Sequence, residues 1–109
     1  DNFSNSDATS IKRVEQITNT SIPLIQGDIR DTDGLQKVFD SYDIEAVIHF
    51  AGLKAVGESV EKPLKYYDNN IVGTIKPCEV MAKNGCKSII FSSSATVYGD
   101  PHTTPIKEN

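Results

Sequence analysis

Three short segments hold the residues of this chain best placed to do chemistry: Asp28 behind Gly27, Phe50 to Lys54, and Ser92 to Tyr98. Each directly follows a short apolar run, where a strand gives way to a loop, and ligand binding is the chemistry they suggest. Taken singly, each also has a plain structural reading. Asp28 could cap a turn, Gly52 could allow a tight one, and the serines could be solvated. Cys78 and Cys86 would be the metal or redox pair, but a spacing of eight matches no zinc or redox motif, and no histidine stands near them. They read as two reduced thiols packed as small hydrophobes, as in a cytosolic protein. His49 lies within an apolar run and reads as a packed or hydrogen-bonded histidine; His102 is a loop residue with no partner in view.

The elements that would position these segments follow from periodicity. Ile22 to Asp28 is an apolar run closed by Gly-Asp and reads as a strand ending in a turn. Asp31 or Thr32 then caps a helix whose apolar residues Leu35, Val38, Phe39 and Tyr42 recur at helical spacing. Ala46 to Phe50 is almost continuously apolar and reads as a fully buried strand. After a loop with Gly52 and Gly57, the residues Leu64, Tyr67, Ile71, Ile75, Cys78 and Ala82 line one side of a long helix, which Asn84-Gly85 stops. Ser88 to Ser92 is a third strand, and 93–109 a polar loop with Pro101 and Pro105. Ile11, Val14 and Ile17 suggest one more helix ahead of the first strand.

This alternation predicts an α/β fold, a doubly wound parallel sheet with helices on both faces. Right-handed crossovers bring the loops after the strands to one edge, where ligands bind. Pro77 runs against the pattern, because proline inside a helix removes a hydrogen bond at a cost of about 3 kcal/mol.

Composition bounds the function classes. The 109 residues, 38% hydrophobic and 24% charged, suit one small globular domain or part of a larger one, and are too apolar for disorder. A formal charge of −4 offers no basic face for nucleic acid. No run approaches the roughly 18 apolar residues that span a bilayer. The chain opens on Asp1 rather than Met and closes on a polar stretch at Asn109, so both ends are expected to be cut.

Two long motifs stand out, His49-Phe50-Ala51-Gly52-Leu53-Lys54-Ala55-Val56-Gly57-Glu58-Ser59 and Ser92-Ser93-Ser94-Ala95-Thr96-Val97-Tyr98-Gly99. Between them lies Tyr66-Tyr67-Asp68-Asn69-Asn70, and the chain begins Asp1-Asn2-Phe3-Ser4-Asn5-Ser6. On these residues the chain resembles, over essentially its whole length, the UDP-glucose 4-epimerase family of extended short-chain dehydrogenase/reductases. The resemblance implies a Rossmann domain that binds NAD, of which residues 1–109 would be the middle part, and a smaller UDP-sugar domain. It further implies interconversion of UDP-glucose and UDP-galactose by reversible oxidation at C4 of the hexose, a step of galactose metabolism. A homodimeric parent enzyme in the cytoplasm is expected, and the fragment alone is expected to be inactive.

By that resemblance, Asp1 would accept hydrogen bonds from the adenosine ribose hydroxyls and select NAD over its phosphorylated relative. Asn2, Asn5 and Ser6 would complete the adenosine-side loop, and Asp28 and Ile29 would bracket the adenine. Phe50, Ala51 and Gly52 would run under the cofactor, where small residues let the backbone approach closely. Lys54 would lie near cofactor and substrate, its alternative being a solvated loop lysine. Asn69 would contact the cofactor, its alternative being a polar residue on a helix face. Ser94 would hydrogen-bond the sugar 4-hydroxyl and help relay its proton, as the catalytic, substrate-binding residue.

The superfamily's base is a tyrosine with a lysine four residues later, whose charge lowers the phenol pKa. Here Tyr42 is followed at that spacing by Ala46, Tyr66 by Asn70, Tyr67 by Ile71 and Tyr98 by His102. The pair is expected beyond Asn109, and the glycine-rich phosphate turn and first strand before Asp1. Two other readings stay open. A nucleotide-sugar 4,6-dehydratase would want an Asp-Glu pair directly after Ser94, where Ala95 and Thr96 stand. A degenerate NAD- or sugar-binding protein without catalysis is the third.

Overall fold

The computed structural model describes residues 1–107 and bears out the mixed helix and strand alternation. The spacing of Ile11, Val14 and Ile17 yields helix α1 (Thr9–Thr18), which the chain leaves through Asn19 in the left-handed region at φ 50°. Helix α2 (Thr32–Ser41) starts where the Asp31 carboxylate accepts from the Gly34 amide at 3.0 Å, satisfying an orphan donor of the first turn. Strands β1 (Ala46–His49) and β2 (Ser88–Phe91) pair in parallel, with Ala46 opposite Ser88 and His49 opposite Phe91. Between them run α3 (Val56–Glu61), α4 (Pro63–Tyr67), a π-helical turn (Asp68–Val72) and α5 (Gly73–Lys83). Asn84-Gly85 stops α5 as expected: Gly85 sits at φ 73°, its N–H donates to Ala82 O, and the Cys86 N–H donates to Met81 O at 3.0 Å. Parallel strands joined by a helical crossover make this a partial Rossmann-type fold. No helix among the described residues is long and apolar enough to cross a membrane. The polar loop expected over 93–109 contains a 3₁₀ turn at Ala95–Tyr98, and its last two positions lie outside the described residues.

The run Ile22 to Asp28 is not a laddered strand. It makes one parallel rung, in which Asp1 N donates to Ile25 O and Gly27 N to Asp1 O, both at 3.0 Å. A ladder needs several partner residues, and Asp1 supplies one. The strands β1 and β2 are also less buried than their apolar content predicts. His49 alone is buried, whereas Ile48 and Ile90, opposite each other in the ladder, are 57% and 63% exposed. His49 faces α5, and the other face of the pair is bare at these positions. The accessible surface is 8523 Å² and the radius of gyration 16.3 Å, against about 6,000 Å² and about 13 Å for a compact protein of this length.

The long helix is present from Pro63 to Lys83, but the π turn divides it and the buried side is not the one its apolar stripe predicts. Tyr66, Asn69, Gly73, Pro77, Val80 and Met81 are buried, while Leu64 and Tyr67 are 79% and 60% exposed, and Ile71 and Ile75 are about half exposed. The inward side is chosen by fit and polarity. At Gly73 an added Cβ would collide with Ile29, and only Asn69 and the half-buried Asn70 can bond the loop after β1. Pro77 is the fifth residue of α5, directly after the first turn, so it removes a bond near a helix end where the π turn has already interrupted the ladder. Of the two free cysteines, Cys86 is buried with its thiol directed at Glu45 O at 3.4 Å; Cys78 is exposed rather than packed.

Candidate functional site

Beyond the carboxyl ends of the strands lie two adjoining clefts. The first, of about 380 Å³, brings together eight of the residues singled out by sequence: Asp1, Asn2, Asn5, Ile29, Phe50, Ala51, Gly52 and Asn69. The Asp1 carboxylate is anchored through one oxygen. Its Oδ1 accepts from the Phe3 amide at 2.6 Å and from Ser6 Oγ at 2.7 Å. Nothing among the described residues donates to its Oδ2. Ser6 therefore orients Asp1 rather than lining the cleft. Phe50 presents a ring that is 72% exposed, an apolar face beside that free acceptor.

Asp28 does not line the cleft but stands behind Asn2 and Ile29, which do. Its Oδ1 accepts from the Arg30 amide and Arg30 Nε, and its Oδ2 from Arg30 Nη2 at 2.7 Å and Asn2 Nδ2 at 2.9 Å. Arg30 holds the Asp28 carboxyl far below the usual carboxylate range. The other end of the guanidinium, Nη1, donates to Asp68 Oδ2, in the π turn.

That π turn lets two consecutive residues face one loop. Asn69 Nδ2 donates to Ala51 O at 3.0 Å, and Asn70 bonds both main-chain groups of Leu53. Behind them, Thr74 Oγ1 donates to Asn70 O at 2.6 Å and lies 3.1 Å from His49 Nε2. With the threonine proton committed to Asn70, Nε2 must be the donor of that pair. The Ala51 amide donates to His49 Nδ1 at 3.3 Å, so the ring is the neutral Nε2–H tautomer. Burial pushes its pKa down, which favours the same form.

The second cleft, of about 290 Å³, contains Lys54 and Ser94. Lys54 is an exposed loop lysine whose Nζ donates to Ser92 O at 3.0 Å, Ser93 O at 3.2 Å and Ser92 Oγ at 3.3 Å. It ties the loop after β1 to the loop after β2. Ser94 caps the 3₁₀ turn, its Oγ accepting from Thr96 N at 3.3 Å and Thr96 Oγ1 at 2.8 Å. Thr96 thus holds the Ser94 hydroxyl where it lines the second cleft. At the far side of the crossover, Glu58 accepts from Tyr66 Oη at 3.0 Å and from Lys65 at 2.7 Å, clamping α3 to α4. Burial and that bond push the Tyr66 phenol up, the opposite of what a catalytic phenolate requires.

Arg30, Asn70 and Thr74 were not singled out by sequence. Arg30 lies two residues from Asp28, which in a strand would put the pair on one face, but a tight turn, with Asp31 N bonded to Asp28 O, makes the contact. Asn70 adjoins Asn69, and neighbours on a regular helix do not share a face.

A family profile described as GDP-mannose 4,6 dehydratase matches residues 1–109. The chain is 56% identical over its full length to UDP-glucose 4-epimerase of Bacillus subtilis, and 55% identical over 99% of its length to UDP-glucose 4-epimerase 2 of Arabidopsis thaliana. It spans 32% of the length of each. Its fold superposes with a TM-score of 0.91, at 54% identity and over 99% of the chain, on 32% of the crystal structure of UDP-glucose 4-epimerase from Bifidobacterium longum in complex with NAD+ and UDP.

Proposed function

The chain belongs to the GDP-mannose 4,6 dehydratase family, and on that footing we propose that residues 1–109 form the middle part of the NAD-binding Rossmann domain of an enzyme interconverting UDP-glucose and UDP-galactose. The observation that carries this reading is the Asp1 carboxylate, anchored through Oδ1 by Phe3 and Ser6 and without a donor at Oδ2. A fixed acceptor in a cleft beside Phe50 and Gly52 suits a ribose diol and the base attached to it. The cleft is within the size range of small-molecule sites. Asn2, Asn5 and Ile29 extend it on the adenosine side, and Ala51 and Asn69 on the other.

NAD, when bound, supplies the hydride acceptor and donor for C4 of the hexose. The residues of this chain hold and orient. Ser94, steadied by Thr96, hydrogen-bonds the sugar 4-oxygen and orients it, while the 4-hydroxyl proton leaves for a base outside residues 1–109 as hydride leaves C4. Lys54 contributes by fixing Ser92 and Ser93, and with them the approach of Ser94 to the substrate. Residues 1–109, which span 32% of the length of the first relative, contain no Tyr-x-x-x-Lys pair, and this reading requires that pair and a glycine-rich turn from elsewhere in the complete protein.

Epimerisation is favoured over dehydration, despite the family description, because Ala95 and Thr96 follow Ser94 and neither can serve as the acid of an elimination. The exposed stripe Leu64, Tyr67, Ile71 and Ile75 supports a homodimer with this helix at the contact. Free Cys78 and Cys86 fit a reducing cytoplasm, and the reaction belongs to galactose metabolism.

The test is to express the complete protein that carries this chain and assay UDP-galactose for conversion to UDP-glucose, with release of NAD on denaturation. Ser94→Ala is expected to lower kcat on the order of 10²-fold with NAD content unchanged. A preparation with neither bound NAD nor interconversion would sink the reading, and a 4-keto-6-deoxy product would shift it to dehydration.

A further inference from the structure

The Asp28 carboxylate has no acceptor position to spare. A carboxylate offers about four lone-pair sites, and here two oxygens each accept two bonds, three from Arg30 and one from Asn2. An amine arriving from a ligand must therefore displace a donor. Asn2 is the one that can leave, being exposed and holding Oδ2 through a single bond of 2.9 Å. Arg30 cannot leave as readily. Its fork grips both carboxylate oxygens, its main-chain amide adds a third bond, and Nη1 is tied to Asp68 across the π turn. The segment is seated from a second side at Gly73, where a Cβ would meet Ile29 Cγ1 at 2.9 Å and Arg30 Cγ at 3.8 Å.

We propose that Arg30 is the positioning residue that selects an amino-bearing purine at this cleft. It holds Asp28 as a fixed pure acceptor beside Asn2 and Ile29, and it sets the distance from that acceptor to Asn69 through Asp68. An exocyclic amine then replaces Asn2 at Oδ2, while a purine carrying a carbonyl oxygen at the same position meets the carboxylate's lone pairs and is rejected. This rests on the reading of the first cleft as a dinucleotide site.

The experiment uses the complete protein stripped of nucleotide and titrated with NAD and with nicotinamide hypoxanthine dinucleotide, which has oxygen in place of the 6-amino group. The wild type is expected to favour NAD by at least about tenfold. Arg30→Met is expected to bring the two affinities within about threefold, and Arg30→Lys to lose much of the preference too, since an ammonium keeps the charge without the fork. Loss of both affinities in parallel, with the ratio kept, would make Arg30 merely structural and overturn the proposal. Should Arg30→Met fail to fold, Asp68→Ala decides: it removes only the outer anchor, a partial fall in the ratio is expected, and an unchanged ratio rejects the idea. A wild type that binds NAD without preference also rejects it. A wild type that does not bind NAD at all brings down the underlying site reading instead.

Discussion

Asn70 closes both halves of its side-chain amide on the main chain of Leu53, Oδ1 accepting from Leu53 N at 2.8 Å and Nδ2 donating to Leu53 O at 2.9 Å. The side chain acts as a missing strand neighbour for the loop after β1. Asn70→Ala would leave both groups of Leu53 without these partners, a cost of about 1–3 kcal/mol. A lower thermal midpoint is expected, together with weaker NAD binding, because Ala51 to Lys54 lose their support. Melting and titration of the complete protein check both; an unchanged midpoint would contradict this role.

Gly73 sets opposite effects against each other. Alanine there gains about 1 kcal/mol of helix propensity, and it also drives a Cβ into Ile29, an overpacking that costs about 1–3 kcal/mol. For Gly73→Ala the expected result is a small net change in stability with a several-fold loss of NAD affinity, since Ile29 must move out of the first cleft. Affinity equal to wild type would show that Ile29 can yield without disturbing the site.

His49 gives the loop a pH dependence with a definite sign. Burial lowers its pKa in the folded state below the ordinary 6.5, so between the two values the unfolded chain binds more protons. Its stabilising contribution is thus full above about pH 6.5 and is lost as pH falls through the depressed folded value. Protonation at Nδ1 would also expel the Ala51 amide that donates there. Thermal melts of the complete protein from about pH 7.5 down to about pH 5 should slope downward, and His49→Asn should remove part of that slope. Parallel slopes for the two proteins would count against it.

The 109-residue chain taken alone is expected to melt without cooperativity and to bind a hydrophobic dye before heating. Ile48, Phe50, Ile90 and Phe91 are all more than half exposed, and few large side chains are buried. Parallel strands derive their stability from cover on both faces. Circular dichroism with dye fluorescence tests this; a sharp transition with no dye bound would refute it.

What could be read in the sequence was mostly local. The caps at Asp31 and Gly85 came through because each is written within a few residues, and α1 and the two paired strands because period and apolar content are short-range. Most of the first cleft was legible through the motifs. The inward side of α4 and α5 was not. It depends on Ile29 meeting Gly73 and on asparagines reaching a loop 17 or 18 residues upstream, contacts that no helical spacing encodes. The Arg30 grip on Asp28 was hidden for the same reason, since it arises from the turn and not from strand alternation.

The π turn carries a consequence for how this stretch of gene can change. Its five residues hold one more than an α-helical turn would need. Deleting a single codon between Asp68 and Val72 would heal the helix, and because the turn already absorbs the extra residue, the flanking helices would keep the faces they now present. What would be lost is the placement of Asn69 and Asn70 on one loop. A deletion inside α5 has no such slack and would rotate everything after it by about 100°. Length can therefore change at this turn with less disturbance to the packed side of α5 than within α5 itself, at the expense of the grip on the loop after β1.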